Sequence, residues 1–181
     1  RYKKAIECYR KALDIKPDYF QARSNLIFSM TSESKVPSGK VLVEAIAYGE
    51  MCSKTSPKKY SMWNCDYKAT TLNIGFISGD ISNHPVGYFL EGVLPSLSKG
   101  SFELYGYPTT AHEDELTARL KPFFKKWSPL LTLDWISAAR KIHEDNIHIL
   151  IDLAGHTAGN ALPVFSYKPA PVQCTWLGYF G

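Results

Sequence analysis

Three short stretches hold the residues whose types and spacing could do chemistry. In the first, Gly79-Asp80-Ile81-Ser82-Asn83-His84-Pro85, a carboxyl and an imidazole stand four residues apart. An imidazole can accept or relay a proton near neutral pH, and a nearby carboxylate can help to position or polarise a reacting hydroxyl. Pro85 suits the first position of a helix, which puts Asn83 or His84 at its cap. The positive end of a helix disfavours an imidazolium, so this placement predicts a largely neutral His84 ring. The second stretch is Asp152-Leu153-Ala154-Gly155-His156-Thr157-Ala158-Gly159-Asn160, whose glycines permit tight turns close to a ligand. The third is Trp176-Leu177-Gly178-Tyr179-Phe180-Gly181, where Gly178 and Gly181 allow the backbone itself to face a crevice. None of them, nor Gly75-x3-Gly79, is a GxGxxG fingerprint, which disfavours a dinucleotide-binding oxidoreductase.

The elements around these stretches predict where they meet. Leu72–Ser78 is a short apolar run bounded by Gly79 and Asp80 and reads as a buried strand. Residues 84–97 read as a helix, 102–107 as a strand, 113–124 and 133–146 as helices, and 127–130 as a short strand between them. Residues 147–153 form the clearest strand pattern. Residues 157–167 are predicted to be helical in part, and 172–177 a last strand. Strands alternating with helices predict an α/β fold, an open parallel Rossmann-like sheet with helices on both faces. In such sheets ligands bind beyond the carboxyl ends of the strands, and Asp80, His84, His156 and Gly178 all fall at such ends. That convergence is what separates them from background, because a single histidine after a strand is more often structural than catalytic. His143 and His148 flank a helix-to-strand turn and read as structural. His112 reads as solvated, and Trp63, Trp127, Trp135 and Trp176 read as core.

The front of the chain follows another rule. Residues 1–16 place Tyr2, Ala5, Ile6, Tyr9, Ala12 and Leu13 on one helical face, with Lys3, Lys4, Glu7, Arg10 and Lys11 opposite. Pro17 and Asp18 break that helix, and Phe20, Ala22, Leu26, Ile27 and Met30 mark a second. The order Ala5-x3-Tyr9, Ala12, Pro17 resembles the second half of a tetratricopeptide repeat, and the next helix resembles the start of another. Residues 31–39 read as a turn and 41–52 as a capping helix. The domain reading is therefore helices over 1–52, a polar linker with Pro57 over 53–60, and an α/β lobe over 61–181.

Composition sets the outer bounds. The chain has 181 residues, 45% apolar and 21% charged, with a formal net charge of +4. Its basic residues are scattered, so no nucleic-acid footprint is indicated. Its apolar runs are too short to span a bilayer. The four cysteines lack CxxC spacing and the histidines lack metal spacing, so no metal ligands are assigned and reduced thiols of a cytoplasmic protein are expected. The chain opens on Arg1 inside a helical pattern and stops in a glycine-rich turn, as expected of a piece of a longer polypeptide.

A helical repeat running into IGFISGDISNHPVGYFL (74–90), ILIDLAGHTAGN (149–160) and KPAPVQCTWLGY (168–179) resembles the O-linked N-acetylglucosamine transferase family, including its SPINDLY-like and bacterial members. The resemblance covers nearly the whole chain. It implies the N-terminal lobe of a GT-B glycosyltransferase, with the nucleotide held mainly by a C-terminal lobe, so that the fragment by itself is expected to be inactive. It implies Asp80 and His84 as catalytic residues, and Asn83, Pro85, His156, Thr157, Leu177 and Gly178 as substrate-binding ones. The implied reaction is inverting transfer of N-acetylglucosamine from UDP-GlcNAc, a substrate rather than a cofactor, to Ser or Thr hydroxyls of acceptor proteins held by the repeats. A cytoplasmic enzyme, or a nuclear one in a eukaryote, is implied. SPINDLY-like transfer of fucose from GDP-fucose is the rival within the family, and a non-catalytic repeat adaptor is the rival outside it. Two departures stand out: Phe180 where the family usually has Pro, and no His in the loop 31–38.

Overall fold

The structure, a computed structural model, describes residues 1–56 and 58–178. Pro57 of the expected linker, and Tyr179, Phe180 and Gly181 of the third stretch, lie outside the described residues. The chain divides into two compact units. One holds the N-terminal helices together with residues 156–158, and the other holds residues 58–155 and 159–178.

The first unit is built from α1 (Tyr2–Ile15), α2 (Phe20–Thr31) and α3 (Ser38–Thr55). The apolar stripe of α1 buries Ile6 and Leu13 against Ala22, Leu26 and Met30 of α2, with Tyr9, Ala12, Val36 and Val41 packed around them. The small Ala22 side chain permits the close helix approach that this core needs. Helix α3 is longer at both ends than the 41–52 expected. It starts directly after Pro37, whose extended backbone ends the preceding turn. It continues through Ser53, Lys54 and Thr55, which the linker reading had assigned to irregular chain. Those residues are polar but not helix-breaking, and the Thr55 and Ser56 hydroxyls both donate back to the Cys52 carbonyl.

The second unit is a five-stranded sheet in the order β3-β2-β1-β4-β5, with every pair parallel. The strands are β1 (Leu72–Ser78), β2 (Phe102–Pro108), β3 (Lys126–Trp127), β4 (Ile149–Asp152) and β5 (Val172–Thr175). Helices α4 (Pro85–Leu97), α5 (Glu115–Leu120), α6 (Trp135–Glu144) and α7 (Leu162–Phe165) complete the unit. Strand periodicity sorts the side chains onto two faces. Ile74, Phe76 and Leu104 point to the face covered by Val86, Leu90 and Leu94 of α4 and by Leu116 and Leu120 of α5. Ile77, Tyr105, Tyr107 and Leu150 point to the other face, covered by Ala138, Ala139 and Ile142 of α6 and by Val164 of α7. Tyr107 is fully buried, and its hydroxyl donates to Asp145 Oδ2 at 2.8 Å.

Several expected elements are shorter. The helix expected over 113–124 is α5 followed by a single 3-10 turn, Lys121–Phe123, because Pro122 lacks the N–H that an α-helix would need there. The segment 157–167 is helical only over Leu162–Phe165; Gly159 at φ +72° interrupts it. None of the four tryptophans is buried: Trp135 and Trp176 are exposed, and Trp63 and Trp127 are half-buried. Each indole at these positions lies along a unit's surface, and Trp63 and Trp127 satisfy their N–H groups there, on the Lys168 carbonyl and on Glu113.

Leu90 is wholly excluded from solvent between α4 and the sheet. Leu90→Ala is expected to lower the unfolding free energy by about 2–5 kcal/mol. A denaturant titration showing no loss would contradict this packing.

Candidate active site

The strand order reverses between β1 and β4. Chain leaving β1 turns toward α4 on one face, whereas chain reaching β4 comes from α6 on the other. The carboxyl ends of β1, β4 and β5 are therefore consecutive along the sheet edge, beside the reversal where a crevice opens. Ser78, Asp152 and Thr175 end those strands, so the first and third stretches, and the start of the second, leave the sheet side by side.

After β1, the chain folds back onto the helix it is about to enter. His84 is the N-cap of α4 and Pro85 its first residue. The Val86 N–H donates to His84 Nδ1 at 3.3 Å, so the ring caps the helix through a nitrogen lone pair. A neutral ring in that role carries its proton on Nε2. The Asp80 carboxylate lies 3.9 Å from the same Nδ1. Burial raises the pKa of Asp80, and the facing His84 lowers it. Gly87 makes the fold-back possible: a Cβ there would lie 2.0 Å from the Ser82 carbonyl oxygen. The turn is also tied to α5. Thr117 Oγ1 donates to the Ile81 carbonyl at 2.9 Å, and the Asn83 N–H donates to Asp114 Oδ2 at 2.7 Å. The Asn83 side chain accepts from the Tyr88 hydroxyl at 2.6 Å.

After β4, the buried Asp152 carboxylate accepts from the Ala154 and Gly155 N–H groups and from the Thr175 hydroxyl. Burial still pushes this carboxyl up, outweighing the three donors. Gly155 takes φ +56°, a conformation that glycine adopts without strain. His156 belongs with the helical unit. Its Nδ1 is 3.0 Å from Ser24 Oγ of α2, and its ring meets Tyr48 of α3 edge to face at 4.9 Å. Burial lowers its pKa from 6.5 to about 4. Thr157 is half-buried in the same segment.

After β5, Leu177 takes φ +71° and packs against the cluster that contains Ile81, Val86 and Leu153. Gly178 follows, with its N–H donating to the Leu153 carbonyl at 3.1 Å. A Cβ at Gly178 would stand 2.0 Å from that same oxygen. The backbone after β5 is thus pressed onto the turn after β4, and only glycine fits.

The structure brings Asp80 to His84, and Leu177 into the cluster of the β1 turn. It gives the Asn83 side chain a partner in Tyr88 and the His156 ring partners in α2 and α3. Sequence reasoning missed Thr109 and Thr110. The Thr109 hydroxyl donates to the Gly159 carbonyl, and the Thr110 hydroxyl donates to the Gly79 carbonyl at 3.0 Å, so this pair pins the loops after β1 and β4. Their position directly after a strand, at the same edge as Gly79, is the signal that could have found them. It also missed Ser24, a hydroxyl on the apolar side of a repeat helix, where an unpaired polar group is costly and a partner is expected.

The profile of glycosyl transferase family 41 matches residues 42–181, and a tetratricopeptide-repeat profile matches residues 1–26. The chain is 30% identical, over 96% of its length, to a probable UDP-N-acetylglucosamine–peptide N-acetylglucosaminyltransferase SPINDLY of Oryza sativa, of which the match covers 19%. It is 33% identical, over 60% of its length, to a UDP-N-acetylglucosamine–peptide N-acetylglucosaminyltransferase of Caenorhabditis elegans, of which the match covers 10%. A solved structure of a mutant Thermobaculum terrenum O-GlcNAc transferase superposes with a TM-score of 0.89 at 29% identity, covering 98% of this chain and 34% of that one. The chain therefore spans about a fifth of the length of the curated SPINDLY relative.

The buried, neutral His156 makes stability depend on pH. Its pKa is lower in the folded chain than in the unfolded one, so the unfolded chain takes up the proton first as the pH falls. The stabilisation is complete above about pH 6.5 and is lost as the pH drops toward 4. The difference is on the order of 3 kcal/mol. Denaturant unfolding at pH 7, 5.5 and 4.5 should show this acid-side loss, and His156→Gln should flatten it. An equal slope in the variant would contradict the assignment.

Proposed function

This chain belongs to glycosyl transferase family 41, and from that premise we propose that it forms part of an enzyme transferring N-acetylglucosamine from UDP-GlcNAc to Ser or Thr hydroxyls of proteins, with inversion at the anomeric carbon. The observation that carries the reading is the Asp80–His84 pair, set at the strand-order reversal and beside the turns that end in Gly155 and Gly178. The relatives named above, two peptide N-acetylglucosaminyltransferases and an O-GlcNAc transferase, favour this donor and this acceptor class. The donor is a substrate, and no cofactor is required by the reading. We place the enzyme in the cytoplasm or nucleus. Among the described residues, no helix is long and apolar enough to cross a membrane.

Inverting transfer needs the acceptor oxygen in line behind the anomeric carbon and a site that stabilises the departing diphosphate. His84 and Asp80 serve the acceptor side. With Nδ1 engaged by the Val86 N–H, a neutral His84 presents an Nε2–H and orients the hydroxyl as a donor. To take the hydroxyl proton, Nε2 must be free, so the ring proton must sit on Nδ1. Asp80, 3.9 Å away, is the group placed to receive that Nδ1–H. The ring thus exchanges a helix cap for a carboxylate partner as it accepts the proton. Leu177 and Gly178 face the donor sugar with backbone rather than side chain, alongside Pro85. Residues outside this chain hold the nucleotide diphosphate. The tetratricopeptide-type helices guide the acceptor polypeptide.

In the full-length protein, His84→Ala and Asp80→Asn are each expected to lower kcat about 10²–10⁴-fold with a far smaller change in donor KM, the range for loss of acid–base assistance. Unchanged turnover in a folded His84→Ala protein would remove the ring from the mechanism and favour a binding-only role. Donor competition separates the sugars. UDP-GlcNAc should support transfer to a serine peptide, and GDP-fucose should not. The reverse result would make this a fucosyltransferase.

A further inference from the structure

No hydrogen bond among the described residues holds the Asp80 carboxylate; the His84 ring is its charged or polar neighbour there. Its position is therefore set by the backbone that carries it. That backbone leaves β1 through Gly79, the residue type with the widest conformational freedom. A carboxylate mounted behind a glycine swings unless something outside the turn fixes the peptide between them. Burial opposes the charge on Asp80 and the facing ring favours it, so the balance is sensitive to their separation.

The neighbouring strand supplies the fixing group. Ser78 at the end of β1 is in register with Pro108 at the end of β2, so the residues after β2 come alongside those after β1. The Thr109 N–H donates to the Ser78 carbonyl at 3.0 Å and extends the ladder by one bond. Thr110 takes the next carbonyl with its side chain, Oγ1 donating to Gly79 at 3.0 Å. The Gly79 carbonyl and the Asp80 N–H belong to one planar peptide group. The Asp80 N–H donates to the buried Ser78 hydroxyl at 3.0 Å, so the plane is held at both ends. Its tilt sets the direction in which the Asp80 side chain leaves the chain. The Thr110 methyl is packed as closely as its hydroxyl: a Cβ on Gly79 would lie 2.9 Å from Thr110 Cγ2. Threonine is stiff about χ1, so methyl and hydroxyl act together as a rigid wedge on Gly79.

We propose that Thr110 is a positioning residue for transfer: its hydroxyl fixes the Gly79–Asp80 peptide and thereby keeps the Asp80 carboxylate within reach of His84 Nδ1. The role rests on the transferase reading above and adds a residue to it. Thr110 acts through Asp80 and touches neither the reacting hydroxyl nor the sugar.

Kinetics of the full-length protein test this. Thr110→Val keeps the shape and the methyl and removes the hydroxyl. It should lower kcat about 10–100-fold, the scale of a small misplacement, with donor KM moved by less than about twofold. Thr110→Ser, which keeps the hydroxyl, should restore most of the rate. In an Asp80→Asn background Thr110→Val should lower kcat by less than about twofold more, because the group it positions is gone. Amide hydrogen exchange over residues 79–84 should quicken in the valine variant and return toward wild type in the serine variant. Thr110→Ala replaces the valine variant if that protein folds poorly. A folded valine or alanine variant with kcat within about twofold of wild type overturns the role, as does the full loss recurring on top of Asp80→Asn. A serine variant as slow as the valine one overturns it too. Absence of transfer by the unmodified protein would remove the transferase reading and this role together. Transfer by the unmodified protein with any of those three results would remove the role alone.

Discussion

The reversal of strand order between β1 and β4 is the constraint on which the candidate site depends. A parallel sheet requires each strand to be followed by a crossover, and the hand of that crossover is fixed by backbone twist. Building outward from β1 in both directions therefore sends α4 to one face and α6 to the other. The ends of the two central strands lose the cover of a helix between them. Glycine-rich turns occupy that edge because backbone must pass close to backbone there. Gly178 against Leu153 is the tightest such approach, together with Gly87 against Ser82.

His84 occupies a place with two demands on one nitrogen. As N-cap it satisfies the Val86 N–H, one of the donors a helix leaves unpaired at its start. As the neighbour of Asp80 it can pair with a carboxylate instead. A Ser or Asp cap at this position would satisfy the helix and carry no comparable proton chemistry near neutrality. The turn is held by links that leave the ring free to choose: Thr117 to Ile81, and Asp114 to Asn83, both from α5. The positioning of the candidate acid–base group is thus separated from the group itself.

The turn after β4 divides its labour differently. Its first half is fixed from beneath by Asp152, and its far end by Thr109 at Gly159. The residues between them, 156–158, group with the helices, where Ser24 and Tyr48 hold the His156 ring. The motif that looks like one ligand-binding loop is therefore a chain segment with an anchor at its centre.

Much of this was legible in the chain itself. The span of β1, the Pro85 start of α4 and the parallel α/β class follow from apolar runs, a proline at a first helical turn and alternation of periods. Those signals are local, acting through φ restriction, side-chain period and cap chemistry. The shortened β4, the exposed tryptophans and the pairing of His156 with Ser24, 132 residues apart, are of another kind. They depend on which surfaces meet. Sequence determined that Asn83 or His84 would lie at a helix cap beside a strand end, because Pro85 and the apolar run before it fix both within a few residues. Only the tertiary structure decided what else that nitrogen faces, and which hydroxyls pin the surrounding loops. The hydroxyls come from α5 and from the loop after β2, and contact between distant segments leaves no periodic trace in the residues that make it.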